Sequence, residues 1–113
     1  MSRITTHVLD TARGRPAAGV EVTLERSDGK GAWSRLASAR TDGNGRIADF
    51  LDAGPLTVGM HRLTFATAAY FKAQAATTFF PSVEVVFSVT KPDEHHHVPL
   101  LLSPFSYSTY RGS

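Results

Sequence analysis

Apolar and polar residues alternate in short bursts along this chain, and Gly, Pro, Asn or Asp closes each burst. Successive side chains on a strand point to opposite faces, so the pattern predicts short strands joined by turns. The clearest burst is Val20 to Arg26, where Val20, Val22 and Leu24 alternate with Glu21, Thr23 and Glu25. One face of that strand is expected in a core and the other in water. Arg3 to Leu9 reads as a first strand. Thr11 to Ala18 reads as a loop, because Pro16 has no amide proton to give to a ladder. Trp33 to Thr41 is a third strand, and Asp42-Gly43-Asn44-Gly45 predicts a tight hairpin turn into Arg46 to Phe50.

Further along, His61 to Phe65 predicts another strand, while the Ala-rich stretch Ala66 to Ala76 suits one short helix. Val83 to Val89 is strongly β-branched, and His96 to Leu102 and Ser106 to Arg111 read as two closing strands around Ser103-Pro104. The fold class expected is mainly β: a two-sheet antiparallel β-sandwich of about eight strands with one short helix. Each sheet then covers the apolar face of the other. A length of 113 residues suits one domain, residues 1–113. Sandwiches leave unpaired edge strands, and symmetric association with another copy is a common cover for them.

Composition narrows the partners more than the fold. Twelve Lys and Arg against ten Asp and Glu leave a formal charge of only +2, too little to predict a nucleic-acid partner. Apolar runs such as Val98 to Leu102 fall far short of the roughly 20 residues that cross a bilayer, so no membrane partner is expected. Met1 to Asp10 has neither the charged start nor the apolar stretch of a signal peptide, which makes the cytoplasm the expected compartment. Without cysteine, disulfides, thiolate nucleophiles and thiolate metal sites all drop out.

The chemistry left to consider centres on five histidines, at positions 7, 61, 95, 96 and 97. Imidazole gives and takes protons near neutrality. Alternation turns His95 and His97 to one face and His96 to the other. A metal site would need His95, His97 and a further ligand such as His7; the plainer reading is a set of exposed strand-end histidines. His7 shares a face with Thr5 and Leu9, opposite Ile4 and Val8. Arg46, just after the glycine-rich turn, is either a solvated cation or a donor for a developing oxyanion. The last residues, Tyr107 to Ser113, stay strand-like where chain ends commonly fray, and Tyr110 and Ser113 could offer hydroxyls there.

Several of these segments together resemble the 5-hydroxyisourate hydrolases, also called transthyretin-related proteins. They are Ile4-Thr5-Thr6-His7-Val8-Leu9-Asp10-Thr11, Gly14-x-Pro16-Ala17, Thr41-Asp42-x-x-Gly45-Arg46, His97-Val98-Pro99-Leu100-Leu101-Leu102-Ser103-Pro104 and the closing Tyr110-Arg111-Gly112-Ser113. The resemblance spans essentially the whole chain. It implies a transthyretin-like sandwich that opens the six-membered ring of 5-hydroxyisourate to give a ureido-imidazoline carboxylate, OHCU, without metal or organic cofactor. Its catalytic positions fall on His7, Arg46, His97 and Ser113, with Tyr110 lining the same pocket and His7, Arg46, Tyr110 and Ser113 holding substrate. It also implies a homotetramer with sites at the interface between dimers. His96 departs from the pattern by standing where an aromatic residue, usually tyrosine, is expected. The rival within the same fold is a non-catalytic, transthyretin-like carrier, disfavoured by the histidines and the Tyr-Arg-Gly-Ser ending.

Overall fold

The computed structural model describes residues 4–50 and 54–113. Two sheets face each other. In the second sheet β3 (Glu21–Ser27) lies between β4 (Trp33–Arg40) and β6 (Gly59–Phe65), and β7 (Val83–Val89) pairs with β6, all antiparallel. The first sheet is built around β1 (Ile4–Asp10). On one side of β1 run two-residue strands β2 (Arg15–Pro16) and β5 (Arg46–Ile47), antiparallel to it. On the other side β8 (His96–His97) and β9 (Leu100–Leu102) run parallel to it, and β10 (Tyr107–Thr109) closes the edge antiparallel to β9. The sandwich expected from alternation is there, with ten strands among the described residues instead of about eight and with a mixed first sheet.

Three differences from expectation have local causes. Arg46 to Phe50 is not the hairpin partner of β4. The chain crosses to the other sheet, where His7 faces Arg46 and Thr6 faces Ile47. Pro16 does enter a ladder, but in an exposed two-residue strand where a missing amide proton costs little. Pro99 splits the expected strand His96 to Leu102 into β8 and β9 for the same reason.

Alternation decides what is buried. Ile4, Thr6, Val8 and Asp10 turn inward from β1, and Val22, Leu24, Leu63, Phe65, Val83 and Val85 meet them from the second sheet. Each such aliphatic or aromatic side chain contributes about 1.5–3 kcal/mol by leaving water. The helix α1 (Thr67–Lys72) follows β6 and seats Phe71 on the core. It ends sooner than the Ala-rich stretch predicted, because Ala76 and Ala75 donate their amides back to the Phe71 and Lys72 carbonyls around a left-handed Ala75. Buried Asp10 is satisfied by the Tyr70 hydroxyl at 2.7 Å and by the amides of Ala12 and Arg13, which ties α1 to the end of β1.

His61 sits fully buried in this core, its Nδ1 3.0 Å from the Gly59 carbonyl and its Nε2 without a partner. Burial lowers its pKa below the ordinary 6.5, and positive charge on Arg26 and His96 adds to the shift. Both folded and unfolded chains carry a neutral His61 well above pH 6.5. As the pH falls below 6.5 the unfolded chain takes up a proton that the folded chain refuses, so stability drops until the folded ring also protonates. The melting temperature should therefore fall between pH 7.5 and 5.5, and His61→Phe should flatten that fall. Equal losses in both proteins would contradict this role.

Candidate active site

Strand register assembles the site on the outer face of the first sheet. Residues paired across neighbouring strands present their side chains on the same face. Thr5 and His7 share the outward face of β1; Arg46 is the register partner of His7, and His97 is the register partner of Thr5. Residues ninety positions apart thus become neighbours on three strands spaced about 4.8 Å apart. Thr5, Arg46, Ala48, His95, His97 and Ser113 line a cavity of about 290 Å³ there.

The turn before β5 aims Arg46. Asp42 accepts hydrogen bonds from the amides of Arg46 (3.0 Å) and Asn44 (2.8 Å), which in that order hold its carboxyl below the usual carboxylate range. Gly45 has φ +76°, and a side chain there would collide with the Val8 carbonyl that Ala17 also uses. The Val8 amide in turn donates to the Gly45 carbonyl at 2.7 Å. So β5 is pinned against β1 immediately beside His7, while the Arg46 guanidinium stays exposed and, among the described residues, outside any ion pair.

His97 is held from two sides. Its Nδ1 lies 2.7 Å from Thr5 Oγ1, and its carbonyl accepts the Gly112 amide at 2.8 Å in an isolated antiparallel bridge. Burial, followed by the positive fields of His95, Arg46 and His7, pushes its pKa below 6.5, so the ring stays neutral around pH 7. The bridge draws the closing segment across the ring and brings Ser113 to the cavity.

The expected residues are placed unequally. Arg46, His97 and Ser113 line one cavity, and His7 stands next to Arg46. Tyr110 does not line it: 59% exposed, it borders a second depression of about 320 Å³ that shares His97 and is walled by Val85, Phe87 and Val98. His96 turns away from His97 as alternation predicted and is buried, with Nδ1 unpartnered. Sequence reasoning missed Thr5, whose hydroxyl joins His97 to His95, and gave His95 no part in the reaction. The shared faces of Thr5 with His7, and of His95 with His97, were the available signals. Among the described residues no group of three or more His, Asp or Glu side chains is placed to hold a metal ion.

Comparison with known proteins bears on this geometry. Residues 4–112 match the model of the HIUase/Transthyretin family. The chain belongs to that family. Among HIUase/Transthyretin relatives, the 5-hydroxyisourate hydrolase of Caulobacter vibrioides is 48% identical, with all of both chains covered. The structure of Klebsiella pneumoniae 5-hydroxyisourate hydrolase superposes with a TM-score of 0.86 at 39% identity, covering 100% of this chain and 94% of that one. Sea bream transthyretin in complex with thyroxine superposes with a TM-score of 0.88 at 33% identity, covering 96% of this chain and 93% of that one. The backbone therefore does not by itself separate the 5-hydroxyisourate hydrolase from the thyroxine-bound transthyretin, and the chemistry has to be argued from the side chains of the site.

Proposed function

We propose that water is added to 5-hydroxyisourate in the cavity between β1, β5 and the closing segment. The chain is a hydrolase that acts on this small purine-derived substrate in urate degradation. The observation that carries the mechanism is the meeting of a neutral His97, an exposed Arg46 that has no ion pair among the described residues, and Ser113 on one cavity of about 290 Å³, a size suited to a small ring system.

His97 takes a proton from water as the oxygen adds to the ring carbonyl. Arg46 stabilises the negative charge that gathers on the carbonyl oxygen. The carbon–nitrogen bond then breaks, and the leaving ring nitrogen takes up the proton, giving the carboxylate product OHCU. His7, beside Arg46, shares in the proton transfers, and the Ser113 hydroxyl orients substrate or water. Because the site lies on the outer face of a sheet with Arg46 and Ser113 exposed, association of two such faces would enclose it. A homotetramer with sites between dimers supplies that enclosure and would make Tyr110 a wall of the completed site. Exposed apolar residues on and beside the edge strands, Val86 and Tyr107 among them, suit such contacts.

Freshly generated 5-hydroxyisourate, followed by ultraviolet absorbance, should decay faster with the purified protein; an unchanged spontaneous rate would refute the assignment. The rate should also fall on the acid side with a midpoint below 6.5, since the ring that must be neutral has a lowered pKa. A midpoint at or above 6.5 would remove His97 as the base.

A further inference from the structure

Thr5 Oγ1 lies 2.7 Å from two imidazole nitrogens at once, Nε2 of His95 and Nδ1 of His97. The two rings stand 6.1 Å apart with the buried hydroxyl between them. A hydroxyl has one proton to donate, so only one of these nitrogens can accept it, and the other must donate its own N–H to the oxygen. Two arrangements satisfy all three groups. In the first, His97 donates from Nδ1, Thr5 donates to His95, and His97 Nε2 is left with a bare lone pair. In the second, His95 donates from Nε2, Thr5 donates to His97 Nδ1, and a neutral His97 carries its proton on Nε2.

With Nδ1 engaged, Nε2 is the nitrogen of His97 left for water or substrate. The first arrangement presents a base there and the second an acid. We infer that Thr5 and His95 are positioning residues that set the tautomer of His97 and hold its proton between the two halves of the reaction. When His97 Nε2 takes the proton of water, Nδ1 passes its proton to Thr5, and Thr5 passes its own to His95 Nε2. When His97 gives the Nε2 proton to the leaving nitrogen, the two transfers reverse and His95 returns to neutrality. The net result is one proton moved from water to the leaving nitrogen, with none gained or lost by the protein. His95 is exposed, so this charge would rest at the solvent edge instead of on the more buried His97, which lies in the positive field of Arg46.

This inference rests on the proposed function, and its test reads the ring as well as the reaction. Thr5→Val keeps the shape of the side chain and removes the hydroxyl; Thr5→Ser keeps the hydroxyl; His95→Gln keeps a hydrogen-bonding group that cannot store a proton. Thr5→Val and His95→Gln should each lower kcat about 10- to 100-fold, as loss of a histidine-orienting partner commonly does, with KM little changed. Thr5→Ser should recover most of the rate. Nitrogen-15 NMR of the His97 ring should show its tautomer populations moving in Thr5→Val and restored in Thr5→Ser. Unaltered His97 tautomers in Thr5→Val would overturn the inference even if the wild-type protein showed no hydrolysis, a result that would sink the proposed function by itself. Equal loss of rate in Thr5→Val and Thr5→Ser would assign Thr5 to packing and overturn it too.

Discussion

His97→Ala is expected to lower kcat for 5-hydroxyisourate by about 10²- to 10⁴-fold, the range over which a positioned acid or base contributes to proton transfer. Three features put this residue ahead of the others. It lines the cavity with Arg46 and Ser113, its ring is held neutral by burial and by neighbouring positive charge, and Nδ1 and the carbonyl are both fixed by hydrogen bonds. A ring fixed this way loses little freedom when the reacting water arrives. The comparison must show that the sandwich survives, because the ring also packs against Gly112. Circular dichroism and the melting temperature serve that purpose: β8 is only two residues long, and the core beneath it is built from Ile4, Val8 and Val98. A folded His97→Ala protein with the wild-type rate would remove His97 as the base and pass the proton transfer to another group of the site.

Local signals along the chain were enough to recover most strands, since alternation acts within one segment. Val83–Val89 coincides with its predicted bounds, and β1, β3, β4 and β6 differ from theirs by one or two residues at most. The outward face of β1, with Thr5 beside His7, was legible for the same reason. What the sequence could not show is which strand lies beside which. The Asp42-Gly43-Asn44-Gly45 stretch predicted a turn correctly, but a turn does not reveal whether the chain returns along β4 or crosses to β1. The parallel pairing of β1 with β8 and β9 joins segments about ninety residues apart and has no local sequence signature. The Thr5 bridge depends on that pairing. Arg46 acquired its neighbour His7 through the crossing, which put on one face two residues whose separate readings had left their role open.

The closing segment should prove as sensitive as His97, and through geometry alone. Deleting Tyr110 to Ser113 should nearly abolish turnover while the circular dichroism spectrum stays β-rich, because those residues follow β10 and contribute nothing to the buried core. Gly112→Ala makes a sharper test. The Gly112 amide donates to the His97 carbonyl, and an added Cβ would lie 2.5 Å from His97 Cδ2, inside the 3.0 Å below which one of the two must move. Pro99 Cγ stands 3.3 Å from the same point, so the Cβ is hemmed in on two sides. Either the imidazole tilts away from Thr5 or the bridge opens and takes Ser113 with it, and a displacement of about 1 Å at reacting groups can cost about 10²-fold in rate. Glycine is needed here for space and not for an unusual backbone angle, so Gly112→Ala should lower kcat without a matching loss of thermal stability. If Gly112→Ala kept the wild-type kcat, the bridge would not be what holds His97, and the ring's orientation would have to come from Thr5 alone.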